Sequence, residues 1–207
     1  MFSDITIPNN NESEFVEVAL KLNLSNLYLL YQSDKEELGK LQKKLALIQH
    51  SSKLNIGTGF IVNEKNIREV SRHSNLLVVK SSDKDREYIN GKRAKLIYGF
   101  EENSKRDFMS QKASGLNHIL CELVRKNNII IGFSYSQLFN KDGQISSLLI
   151  GRMIQNIRLC RKYKVKTVIG CFSEEPYDMR SAYDISSLFT LLGMESKAIK
   201  ESTSYTF

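Results

Sequence analysis

Short apolar bursts alternate with segments whose apolar residues recur at three- and four-residue spacing, and this alternation narrows the folds open to the chain. Phe2–Ile7, Leu27–Tyr31, Ile56–Val62, Leu76–Lys80, Ala94–Phe100, Ile129–Phe133 and Thr167–Phe172 have strand length and apolar content. Between them lie helix-period segments. Phe15, Val18, Ala19 and Leu22 form one stripe of Glu12–Leu22, and Leu38, Leu41, Leu45 and Ile48 one stripe of Asp34–His50. Glu64–Arg72 predicts a short helix, Asp85–Asn90 a short turn or helix, and Ile145–Tyr163 and Asp184–Leu192 two further helices, the last closed by Gly193. Strand–helix–strand order at this spacing predicts a parallel sheet, and strands apolar on both faces predict one covered by helices. The expected architecture is α/β: a single-domain, distorted (β/α) TIM-like barrel over residues 1–207 with about seven or eight parallel strands. A dinucleotide-binding sheet is disfavoured, because Ile7-Pro8-Asn9-Asn10-Asn11 lacks the glycines of a phosphate-binding turn.

A chain of 207 residues buries roughly 70% of its unfolded surface and needs neither disulfide nor metal to fold. Cys121, Cys160 and Cys171 contain no C-x-x-C pair and predict reduced thiols in a cytoplasmic protein. The first twenty residues carry acids and no lysine or arginine, unlike a signal peptide, and no apolar run approaches a membrane span. The tail Met194–Phe207 has no clear pattern.

The formal net charge is +7. It is concentrated: Gly143–Ser173 contains no Asp or Glu but holds Arg152, Arg158, Arg161, Lys162, Lys164 and Lys166, so the remainder is nearly neutral. Such a run is either a solvated helix face or a phosphate-binding surface.

Barrel active sites lie at the C-terminal ends of the strands. The residues predicted there include Asp83, Glu101, Glu102, Glu174, Glu175, Ser134 and Tyr135, and none of His50, His73 or His118. Five carboxylates could hold a hard cation through oxygen, but no imidazole joins them. His118 falls within a helix capped by Ser114, beside a face made of Leu116, Ile119, Leu120, Leu123 and Val124, and predicts a packed or hydrogen-bonded histidine and not a general base. No nucleophile elbow G-x-S-x-G occurs. The expectation is a barrel without catalytic residues or a metal site of its own.

Residues 112–138, KASGLNHILCELVRKNNIIIGFSYSQL, resemble the signature segment of the 30-kilodalton protein subunit of ribonuclease P, called protein component 3 in archaea. Lys112, Ser114, Gly115, Leu116, Asn117, His118, Phe133 and Ser134 carry that resemblance, and RLCRKYKVKTVIGCFSEEPYDMRSAYDISSLFTLLGM at 158–194 extends it. Asp4-Ile5-Thr6-Ile7-Pro8 stands where related barrel phosphoesterases have Asp-x-His-x-His; Thr6 and Pro8 replace the histidines and so remove the first metal ligands. The resemblance implies a non-catalytic subunit that pairs with protein component 2, as a tetramer of two copies each. It implies support for the ribonuclease P RNA, which with its own Mg²⁺ removes the 5′ leader of precursor tRNA; the chain itself binds no cofactor and touches the precursor only indirectly. The competing expectation is a metal-dependent phosphoesterase on the same barrel.

Lys105, Arg106, Lys112, Arg158, Arg161, Lys162 and Arg180 are the expected RNA contacts. Lys112 and Arg180 are supported by the resemblance as well as by charge.

Overall fold

A computed structural model describes residues 2–32, 54–72, 74–109, 111–139 and 141–207. The elements follow in the order β1 (Ser3–Thr6), α1 (Glu12–Lys21), β2 (Asn26–Gln32), β3 (Asn55–Ile61), α2 (Ile67–Val70), β4 (Leu77–Lys80), α3 (Asp85–Asn90) and β5 (Leu96–Tyr98). Then come α4 (His118–Lys126), β6 (Ile130–Ser134), α5 (Gly143–Tyr163), β7 (Thr167–Gly170), α6 (Ala182–Leu191) and α7 (Ser196–Thr203). The helix expected over Asp34–His50 lies outside the described residues, as do His50 and His73.

All seven strands pair in parallel in sequence order, β1 to β7. The sheet curls until its ends meet. Thr6 and Ser173 form a parallel bridge, the Ile7 amide donates to the Ser173 carbonyl at 2.8 Å, and the Phe172 amide donates to the Ile5 carbonyl at 2.7 Å. Asp4 adds a side-chain bond to this seam by accepting the Cys171 amide at 2.6 Å. The result is a nearly closed seven-stranded barrel ringed by helices.

Strand alternation divides the apolar residues into two cores. In β2, Leu27, Leu29 and Tyr31 face the helices, while Tyr28 and Leu30 face the barrel axis. The axis is filled by Ile5, Tyr28, Leu30, Val78, Leu96, Tyr98, Ile130, Val168 and Phe172. Tyr98 and Phe172 stack with ring centres 4.7 Å apart. Gly57 makes room for this filling: a Cβ there would lie 2.4 Å from the Tyr28 ring. The interior is therefore a packed core and not a channel.

The tail that lacks a pattern in the sequence folds as α7 against β7 and α6. Beyond it, Tyr205 and Phe207 pack against the axial core. Phe207 meets Tyr28 edge-on at 4.8 Å, and its amide donates to the Tyr28 hydroxyl at 3.0 Å. Tyr205 shares a cleft with Val165, Lys166 and Thr167 at the start of β7, so this segment covers the N-terminal end of the barrel. The three cysteines are buried and free. No helix among the described residues is long and apolar enough to cross a membrane.

Candidate nucleic-acid interface

A long connection, residues 99–117, joins β5 to the helix that starts at His118. Two residues of α5 tie it down. The buried stripe of α5 runs Leu149, Arg152, Met153, Asn156, Ile157 and Cys160, which places Arg152 and Asn156 among apolar neighbours at helical spacing. Arg152, expected on an exposed charged surface, is instead fully buried. Its Nη1 donates to the carbonyls of Glu101 at 2.7 Å and Ser104 at 2.6 Å, and its Nε reaches Asp107 at 2.7 Å. Its charge is therefore spent inside the molecule. Asn156 donates to Glu101 Oε1 at 2.7 Å and to the Ser114 carbonyl at 2.8 Å. Asp107 also accepts the Ala113 amide at 2.9 Å. Burial works to raise its carboxyl, but the Ala113 amide and the Arg152 guanidinium outweigh burial and hold it below the ordinary value.

The end of this connection differs from the sequence expectation. Ser114 does not cap α4. Its residue is buried, and Asn117 is the cap, accepting the Leu120 amide at 2.9 Å. Gly115 between them has φ +80°, and a Cβ there would lie 2.5 Å from the Phe100 carbonyl oxygen, so the chain turns against β5's end only with glycine in place. Consequently α4 begins at His118, which stands exposed at the helix start and not within the helix or packed against its apolar face. Ile119, expected on the apolar face, is 48% exposed.

Between this connection and α5 runs a groove of about 530 Å³. Lys112, Asn117 and His118 line one side, Gln155, Lys162 and Tyr163 the other, and Phe108 stands in the wall. No carboxylate is among the described residues that line it. The Lys112 side chain crosses α5 at Gly151, where an added Cβ would fall 2.2 Å from its Nζ. Lys162 Nζ lies 5.5 Å from the Tyr163 ring centre.

The expected RNA contacts thus separate into groups. Lys112 and Lys162 line the groove, and Lys105 and Arg106 are exposed on the connection beside it. Arg158 is exposed on α5 one turn from Lys162. Arg161 turns toward Glu195, with a 3.3 Å ion pair. Arg180 is half-buried outside the groove and donates to the carbonyls of Tyr177 and Met179, each at 2.8 Å. Sequence reading passed over Phe108, Asp107 and Asn156. An exposed loop phenylalanine has no periodic pattern to mark it, and Asp107 meets Arg152 across 45 residues.

The rim carboxylates do not gather. Glu101 is buried on Asn156, and burial, opposed by the Asn156 amide, pushes its carboxyl up to about 7 from 4.5. Glu102 pairs with Lys80 at 3.0 Å and with Lys141. Asp83, Glu174 and Glu175 are exposed. Among the described residues, no three His, Cys, Asp or Glu side chains are placed to hold a metal ion together. Asp4 is buried in the barrel seam, where burial pushes its carboxyl up to about 6 despite accepting the Cys171 and Ile5 amides.

A family model described as RNase P subunit p30 matches residues 1–206. Among curated proteins, the ribonuclease P protein component 3 of Methanocaldococcus jannaschii is 27% identical over 84 residues, 41% of this chain and 36% of that protein. The namesake from Methanosarcina acetivorans is 28% identical over 107 residues, 50% of this chain and 45% of that protein. The aligned stretches thus span less than half the length of these relatives. A chain in a cryo-EM structure of archaeal ribonuclease P with mature tRNA superposes with TM-score 0.77 and 19% identity, over 96% of this chain and 87% of that one. An amidohydrolase superposes with TM-score 0.57 and 7% identity, over 98% and 71% respectively, a likeness of barrel fold alone.

Proposed function

The chain belongs to the RNase P subunit p30 family, and from that premise we propose that it acts as a non-catalytic protein subunit of ribonuclease P in removal of the 5′ leader from precursor tRNA. The family match across residues 1–206 carries this reading. The acid-free groove and its basic surroundings agree with it.

A folded RNA is limited by repulsion among its phosphates. Fixed lysines and arginines displace condensed counterions, and the released ions favour binding at low salt. Contacts of this kind position an RNA without reading its sequence, and structured RNA is met mainly through shape and backbone. Lys105, Arg106, Lys112, Arg158 and Lys162 are the proposed RNA contacts on and around the groove. Arg161 and Arg180 join them by exchanging their present partners, Glu195 and two backbone carbonyls, for phosphate. Bond cleavage belongs to the RNA with its Mg²⁺. The protein's part is the rigid mounting of cations through the buried Arg152 and Asn156 network. The proposed assembly is cytoplasmic: ribonuclease P RNA with this chain and protein component 2, two copies of each protein, and precursor tRNA held mainly by the RNA.

Reconstitution tests this. Adding the chain together with protein component 2 to ribonuclease P RNA should lower the Mg²⁺ concentration needed for leader cleavage. An unchanged Mg²⁺ requirement, or phosphoester hydrolysis by the purified chain alone, would contradict it.

A further inference from the structure

We propose that the groove between residues 104–109 and 111–118 and α5 seats one unpaired nucleotide of an RNA strand, with its phosphate held by Lys162 and the start of α4, the next phosphate along the strand met by Lys112, whose Nζ lies over Gly151, and the base stacked on Phe108. The inference rests on the RNA-binding reading above and narrows it from backbone contact in general to a single-stranded element.

Four observations converge here. The described lining of the groove holds two lysines and no carboxylate, and Asp107 beside Lys112 is already paired with Arg152, so the groove favours an anionic occupant. It opens beside the start of α4, a helix of nine residues, where the amides of His118 and Ile119 have no acceptor within the helix. Ser114, which also lines the groove, is 1% exposed, and its hydroxyl has no hydrogen-bond partner among the described residues. A buried hydroxyl left unpaired costs free energy unless a ligand or a water completes it. Finally, Phe108 is 63% exposed in the wall of this polar site. An exposed phenylalanine beside fixed cations suits a ligand with both a negative charge and an aromatic face, which describes a nucleotide.

The backbone also holds Phe108 in place. Its amide donates to the Gln111 carbonyl at 3.0 Å, and its neighbour Asp107 is fixed by Arg152 and by the Ala113 amide. The backbone that carries the ring is therefore fixed before any base stacks on it. Bases of a duplex are already stacked on each other and cannot reach it, so Phe108 discriminates unpaired from paired RNA.

The test uses the full chain with two probes, a short oligouridylate and a blunt-ended RNA duplex of equal phosphate count, followed by fluorescence anisotropy at low salt. Phe108→Leu should weaken oligouridylate binding roughly fivefold to a hundredfold, the range of one lost base–aromatic stack, and leave the duplex within about twofold. Phe108→Trp should keep the affinity, and its indole emission should be quenched by the oligouridylate. Lys112→Gln and Lys162→Gln should weaken both probes. If Phe108→Leu changes neither affinity while charge reversal at Arg158 and Lys162 still weakens the duplex, the nucleotide seat is overturned and the RNA-binding reading survives. If the unaltered chain binds neither probe and does not alter the Mg²⁺ requirement of leader cleavage, both are overturned.

Discussion

Glu101 keeps one carboxylate oxygen on Asn156, and its other has no hydrogen-bond partner among the described residues. Its carboxyl titrates near 7 in the folded chain against an ordinary 4.5, because burial penalises the charged form. A raised folded value means that the associated stability is fully present below about pH 4.5 and is lost as pH rises through 7. Asp4, raised to about 6, has the same sign over a lower window. Glu101→Gln keeps an acceptor for Asn156 and removes the titration. Denaturant unfolding should then show that the stability lost between pH 5 and pH 8 shrinks by on the order of 1–3 kcal/mol, with the Asp4 part remaining. An unchanged pH slope would mean that the carboxylate is solvated on opening of the connection.

At the scale of elements, the distinctive device is one helix face that serves as both core and clamp. The face of α5 that packs Leu149, Met153, Ile157 and Cys160 into the core also sets Arg152 and Asn156 beneath the β5–α4 connection. Arg152→Ala should cost about 3 kcal/mol, since it strands Asp107 and two carbonyls. Amide hydrogen exchange should rise across residues 101–117 before it rises in β5 or β6. Equal protection there would show that the connection holds itself. Much of this level was legible in the sequence. The strands Leu76–Lys80 and Ile129–Phe133 and the helices Glu12–Leu22 and Ile145–Tyr163 lie where periodicity puts them, give or take a residue or two. What periodicity does not reveal is which cation of a basic helix turns inward. Leu149, Arg152, Asn156 and Cys160 share a spacing that apolarity alone would not complete. The choice between Ser114 and Asn117 as cap was hidden for a related reason. Both are good capping residues, and the decision lies with Gly115, whose turn against Phe100 delays the helix by one turn.

Across the whole molecule, the barrel axis is filled by apolar side chains, which directs the proposed RNA contacts to the flank. Tyr28 occupies the space that Gly57 leaves, and Phe207 rests on Tyr28 from below. Gly57→Val should force the ring aside, loosen the Phe207 contact and lower stability by about 1–3 kcal/mol, read as a shift in the urea midpoint. It should leave RNA affinity per folded molecule unchanged, because no groove residue touches that position. A fall in affinity without a fall in stability would place binding at the end of the barrel instead.

The seam between β1 and β7 joins residues 167 positions apart, Asp4 to Cys171. Contacts so distant in sequence form late, since loop closure must precede any gain from them. During synthesis β1 therefore waits with one row of backbone donors and acceptors unpaired until the region around Cys171 has left the ribosome. For most of its emergence the nascent chain carries a naked sheet edge, and shielding that edge from neighbouring chains is the task this barrel sets for the chaperones that meet it.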